Sequence, residues 1–329
     1  MTGFSINFYW VRCVGLSLLL VSLPILANSD DQLHYHAGVD LSGMNLAGKN
    51  LDNAVLTGAN LVGTNLRGAS LKNADLRESY LREADLRSVN LSGAKLDASD
   101  LTRADLRGAI LHSTSLVRAV LDSAILDDSD LSNAFLPGAS LVKSSLHNVN
   151  LEDAVLIDCD MSQSVITSAN LQGASFGSTG LGNRGPIGAI LRGVNLSDSD
   201  LSGSNLVSVD LSESIIIGTK FDAANLAYAD MSWVRGRRSS FAGADMAWVR
   251  AYGADFSNAD FTDSNLELAQ MVGADFTNAT FSNVNLSSAD LSQSILSGVV
   301  GRIQPKLVRT KLHGARDLNK FLTDFDMNN

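Results

Sequence analysis

Large apolar side chains recur at every fifth position from Leu41 to Leu296. Of the 52 positions in that frame, 49 carry Leu, Phe, Met or Ile, and only Pro186, Gly236 and Ala251 depart from it. Two residues ahead of each stands a small residue, Ala in about half of the cases. The position between them is mostly Asp, Asn or Ser, as in Ala74-Asp75-Leu76-Arg77-Glu78 and Ala84-Asp85-Leu86-Arg87-Ser88. A period of five fits neither the 3.6 residues of a helical turn nor the alternation of an ordinary strand. Fixed self-similarity over so many units predicts a solenoid.

The chain is expected to turn a corner every five residues, with two side chains of each side buried. The large residue fills the axis, and the small one sits where a bulkier group would collide. Gly, Asn, Ser and Asp at the remaining positions suit corners, because they tolerate left-handed φ or hydrogen-bond their own backbone. Four sides make a coil of 20 residues, so residues 20 apart stack. The 52 units then give about 13 coils, a rod roughly 60 Å long at ~4.8 Å per layer.

These residues resemble the A(D/N)LXX motif of the pentapeptide-repeat family. The resemblance spans about four-fifths of the chain; Lys49 and Arg184 in small-residue positions and Pro186 in an axial one are local departures. It implies an all-β fold, the right-handed quadrilateral parallel β-helix. It carries little about function, since the motif residues are structural. Gyrase-protecting members pair through a C-terminal helical segment, and some members mimic DNA.

Residues 1–27 differ in kind. Arg12 precedes an apolar stretch from Cys13 to Ala27, with no acidic residue before Asp30, which reads as a signal peptide cleaved after Ala27. An uncleaved membrane anchor is the other reading, against which the apolar run is short of the ~18 residues a span needs. A polar lead follows at 28–36, and the repeat is expected over 37–300. The Gly-rich run 177–188, which contains Pro186, reads as a bulged loop. Residues 301–329 read as a C-terminal cap, with an amphipathic helix from about Ala315 to Phe325 covering the open end of the rod.

Loss of Arg12 with the leader leaves 24 basic against 35 acidic side chains, a net charge of −11. Fifteen of the acidic residues immediately precede an axial position, so the acidity follows the motif and favours solubility rather than naming a partner. Cys159 is then the lone cysteine; it takes a small-residue position and reads as core. The histidines, at 34, 36, 112, 147 and 313, are scattered, and His34-x-His36 falls short of a metal site. Ser175 within Gly173-Ala-Ser-Phe-Gly177 matches G-x-S-x-G without the strand-to-helix context that the motif needs. No cofactor and no enzymatic chemistry is expected.

Surface columns say more. Arg67, Arg87 and Arg107 stack beside Asn65, Asp85 and Asp105 as a self-compensating charged face. Tyr228, Trp248 and Leu268 share one outward column, Trp233 and Tyr252 lie on the neighbouring side, and Arg235, Arg237, Arg238 and Arg250 complete the group. Aromatic and Arg clustering is the composition of a binding hot spot, and it also suits stacking on sugar or nucleic-acid rings. The competing reading is local packing, with the indoles folded over coils dented by Gly236 and Ala251. A second, apolar column holds Phe135 and Val155 with Val117, Pro137 and Ile157 beside them. Ile215 and Ile217 are read as its continuation, and the whole as a surface for homodimerisation.

The chain is thus expected to be an exported, non-enzymatic scaffold, periplasmic or secreted, presenting a rigid surface to a protein or an envelope component. Contact with a membrane would require an uncleaved leader, and the charge argues against a nucleic-acid partner. The alternative is a DNA-mimicking binder of a topoisomerase such as gyrase; the leader and the Arg67–Arg107 column oppose it.

Overall fold

A computed structural model describes residues 37–177, 188–302 and 304–326. The leader 1–27, the lead 28–36 and the interior of the 177–188 run therefore lie outside the described residues. The repeat forms one parallel β-helix held by single bridges, most of them between residues 20 apart: Asp40 with Asn60, Asn45 with Asn65, Asn50 with Ser70, Val55 with Asp75. Steps of five along the chain and 20 between partners give four walls, here A (through Asp40), B (Asn45), C (Asn50) and D (Val55). Each bridge is a pair of short bonds, such as Leu41 N–H to the Asn60 carbonyl and Asn60 N–H to the Val39 carbonyl, both at 2.8 Å.

The corners explain the sequence pattern. Met44 N–H donates to the Leu41 carbonyl at 3.1 Å while Gly43 takes φ +66°; positive φ at the third residue alone defines a type II turn. The turn recurs at nearly every corner, with Asn, Asp, Ser and Gly in most left-handed positions. The Asp or Asn that opens each unit accepts from the amide two residues on, as Asp40 Oδ1 does from Ser42 N–H at 3.1 Å. This side-chain clasp prepares the turn.

Axial Leu, Phe, Met and Ile side chains and the small residues beside them form one continuous core along the helix. Each fully buried Leu contributes about 1.5–3 kcal/mol. Where the small residue is Ser or Thr, most hydroxyls find a carbonyl, as Thr64 does at Leu41 (2.8 Å) and Ser79 at Leu76 (2.6 Å). Cys159 is buried and its thiol donates to the Leu136 carbonyl at 2.9 Å; burial pushes its pKa up to about 12, so it stays a neutral thiol.

The ladder breaks its 20-residue spacing at one point within the repeat. Asp160 pairs with Ile190 and Ser175 with Asn205, 30 residues apart, before the spacing returns to 20 at Ile190–Asp210. Ten residues, two of the 52 units, are thus missing from the walls. Gly177 and Gly188 flank this step against the same strand: a Cβ on either would lie within 2.9 Å of Val207 backbone atoms. Beyond residue 300 the ladder continues with one residue added, pairing Asn285 with Lys306, Asp290 with Lys311 and Ile295 with Arg316. Helix α1, Leu318–Asp326, follows at once. Its Phe321 is buried and meets Phe281 edge-on at 6.3 Å.

That meeting ends a phenylalanine core. Phe221, Phe241 and Phe261 stack along one wall with centroids 5.2 and 5.0 Å apart, and Phe256 and Phe276 stack along the next at 5.8 Å. The two columns meet at right angles, Phe241 on Phe256 at 5.5 Å. Offset and edge-on rings are the favoured geometries for aromatic pairs.

Candidate functional site

All the aromatic and arginine residues singled out on the later coils fall on two adjoining walls. Wall A here presents Asp230, Arg250 and Gln270 in one ladder. The corner before it carries Tyr228, Trp248 and Leu268, and the corner after it carries Trp233 and Tyr252. Wall B follows with Arg235, and its far corner holds Arg237 and Arg238.

The aromatic residues occupy positions that penalise them. Tyr228, Trp233, Trp248 and Leu268 have φ of +64°, +62°, +62° and +61°, at the third residue of the type II turn, where Gly or Asn is at ease. A bulky side chain there costs about 1–2 kcal/mol. Trp233 is 65 % exposed and Tyr228 53 %, so burial does not offset that cost. Non-Gly residues take the same φ at corners along the whole helix, so what sets these positions apart is the exposure of their aromatic groups.

Contacts set the geometry. Tyr228 and Trp248 stack with centroids 6.1 Å apart and planes 12° from parallel; Leu268, half-buried, is next in the column. The Trp233 indole lies over Gly253, where a Cβ would stand 2.3 Å from its Cζ3. Arg250 reaches back to Asp230 at 2.9 Å, and the Tyr252 hydroxyl donates to Gln270. Burial acts upward on the Asp230 pKa, but the Ser232 hydroxyl and amide and Arg250 outweigh it and hold the carboxyl below its ordinary range. Asp230, Gln270 and Gly253 were not singled out in the sequence, although 20-residue spacing puts each beside a residue that was.

The Gly236 dent is filled from inside. A Cβ on Gly236 would meet the Phe256 Cδ1 at 3.0 Å and the Ile216 Cδ1 at 3.2 Å, so core side chains occupy the missing volume and the indoles remain outside.

The apolar column needs correction. Phe135 and Val155 are ladder neighbours on wall D, with Val117, Pro137 and Ile157 at its corner; Phe135 is exposed and the others half-buried. Ile215, however, pairs with Asn195 and Arg235 on wall B, and Ile217 belongs to that wall's corner. Ten residues missing from the walls move everything downstream by two sides, so Ile215 and Ile217 face away from Phe135. The arginine column behaves as a compensated face: Arg87 meets Asp85 at 2.5 Å and Asp105 at 3.8 Å, and Arg107 meets Asp105 at 2.5 Å.

Among the described residues no three His, Cys, Asp or Glu side chains gather as a metal site, and no helix is long and apolar enough to cross a membrane. Ser175 stands in the wall D ladder between Val155 and Asn205. His112 and His147 bond Ser132 and Thr167, each at 2.9 Å. His34 and His36 lie outside the described residues.

The family model for pentapeptide repeats matches in overlapping stretches from residue 37 to residue 298, interrupted only at 139–143 and 180–186. The chain belongs to the pentapeptide-repeat family. Among solved pentapeptide-repeat structures it is similar to HetL, a protein involved in heterocyst differentiation regulation from the cyanobacterium Nostoc sp. strain PCC 7120, with 23 % identity over 86 % of this chain and 90 % of HetL, at a TM-score of 0.24. A pentapeptide repeat protein from the thylakoid lumen of Arabidopsis thaliana is 33 % identical, over 30 % of this chain and 61 % of its own, at 0.23. Full-length QnrB1, a plasmid-mediated fluoroquinolone resistance protein, is 16 % identical over 89 % of this chain and 98 % of its own, at 0.21. No curated protein matches the chain. Membership of the pentapeptide-repeat family thus rests on the repeat itself, and the aromatic and arginine surface is additional to it.

Proposed function

We propose that this pentapeptide-repeat protein is an exported, non-enzymatic scaffold that binds a protein or envelope component through walls A and B of its later coils. The observation that supports this most is the set of exposed aromatic side chains at left-handed corner positions, where the fold alone prefers Gly or Asn. A preformed rigid surface loses little conformational freedom on association, and Trp, Tyr and Arg are the residues that dominate binding energy. Pull-down from an envelope extract tests the reading: wild type should retain a partner that Trp248→Ala loses. Equal capture by both proteins removes walls A and B from the reading.

The reading also requires export. Intact mass of the native protein should correspond to cleavage after Ala27, in an extracytoplasmic fraction; an unprocessed cytoplasmic protein would overturn it and favour a DNA-mimicking topoisomerase binder instead.

A further inference from the structure

The corner after wall B lacks a charge pairing that recurs on earlier coils. At Asp75-x-Arg77, Asp85-x-Arg87 and Asp105-x-Arg107 the residue opening the unit is a carboxylate that pairs with the arginine two places on, at 2.5–2.6 Å. At the corresponding place here the carboxylate is replaced by Arg235, giving Arg235-Gly236-Arg237-Arg238. Arg235 and Arg238 form no ion pair among the described residues, and Arg237 has only Asp255, at 4.0 Å. Asp255 is itself engaged by the Ser257 hydroxyl at 2.6 Å and the Ser257 amide at 3.0 Å. Arg238 is held outward in a left-handed conformation, φ +60°. Ile217, Arg237, Arg238 and Asn258, from three successive coils, line a notch of about 330 Å³. One corner away, the Trp233 indole rests on Gly253 with 65 % of its surface exposed.

We propose that this notch is an anion subsite for a carboxylated glycan, with Arg237 and Arg238 taking the carboxylate and Trp233 stacking on a neighbouring sugar ring. The inference rests on the proposed binding role of walls A and B and names the chemistry of the occupant. Guanidinium forks match carboxylates in geometry and charge, and an exposed indole is a platform for a flat, partly apolar ring. The surroundings select against a dense polyanion. Asp230 neighbours Arg250 on the wall A ladder and Asp255 neighbours Arg235 on wall B, and a nucleic-acid strand, with a charge on every nucleotide, would have to cross them. Sugar hydroxyls can instead donate to those carboxylates, so a glycan charged on alternate rings complements both parts of the surface.

The test titrates the mature full-length protein with hyaluronan hexasaccharide, which carries a carboxylate on alternate rings. The same oligosaccharide with its carboxylates amidated, a sulfated heparin hexasaccharide and a single-stranded oligonucleotide are the comparisons. Calorimetry should show the amidated form binding at least tenfold more weakly than the acid. Arg237→Gln/Arg238→Gln should lose at least tenfold for the acid, Trp233→Ala should weaken both forms, and Arg87→Gln should change neither. Equal binding of acid and amide, an unchanged double variant, or the same loss in Arg87→Gln would overturn the subsite. Tighter binding of the heparin fragment or of the oligonucleotide would overturn the carboxylate assignment. If hyaluronan fails while Trp248→Ala still abolishes capture of an envelope partner, the glycan inference falls and the binding role stands; if Trp248→Ala changes no capture, the binding role itself falls.

Discussion

The left-handed corner residue is where sequence, strain and surface meet. Asn53 and Asn73 sit there comfortably, whereas Tyr228 and Trp248 do so with strained backbones and exposed rings. Trp248→Ala removes the stack on Tyr228, worth about 0.5–1.5 kcal/mol, and keeps the strain, so chemical denaturation should show a small loss with the fold retained. Gly253→Ala should displace the Trp233 indole, visible as a shift in tryptophan emission, with the corner's φ of +59° still accessible to Ala as it is at Ala98 and Ala223. Titration offers a second probe. The Arg77 side-chain hydrogen bond, offset in part by burial, lowers the Asp75 pKa from 3.8 to about 2. A depressed carboxylate contributes stability above its unfolded pKa and loses it as pH falls through the folded value. The Asp75–Arg77 contribution should therefore be full above pH 3.8 and fade toward pH 2. Carboxylate NMR titration checks it: in Arg77→Ala, Asp75 should titrate nearer 3.8.

At the level of elements, the coil and the helix α1 are joined through phenylalanine. Phe261 touches Phe241, Phe256, Phe276 and Phe281, and Phe261→Ala should cost about 3–5 kcal/mol, measurable by thermal or denaturant unfolding. Ala84→Leu, which overfills a buried small-residue position, should cost about 1–3 kcal/mol. The coil itself was legible in the sequence because every unit repeats the same burial requirement. The Tyr228–Trp248 stack was legible too, since both lie after the interruption and 20 residues apart. Ile215 and Ile217 were misplaced because ten is a multiple of five: the apolar frame keeps its register through 177–188, Pro186 apart, while the ladder skips ten residues. The pairing of Lys306, Lys311 and Arg316 escaped notice for the opposite reason, since one added residue breaks the frame although the ladder goes on.

For the whole molecule, the exposed residues on wall D and on walls A and B are separate surfaces. Phe135 and Val155 on wall D stay a proposed site for pairing with a second copy; Ile215 and Ile217 do not belong to it. Light scattering of the mature protein should give a dimer that Phe135→Asp converts to monomer, and a wild-type monomer at all concentrations would remove the proposal.

The step from 20 to 30 at Asp160–Ile190 has a consequence for how such a chain can change. With four walls and five residues to a wall, the surface behaves like a combination dial: an insertion of five within the walls preserves every core contact type yet turns all downstream letters by one click. Twenty restores the setting. Residues passed outside the ladder leave the dial untouched whatever their number. Shortening 178–187 should therefore preserve the alignment of Trp248 with Tyr228 and of Arg235 with Ile215, whereas five residues inserted between Asp210 and Tyr228 would rotate the aromatic and arginine group intact onto another side. New neighbourhoods on an old rod can arise in this way without a single change to its interior.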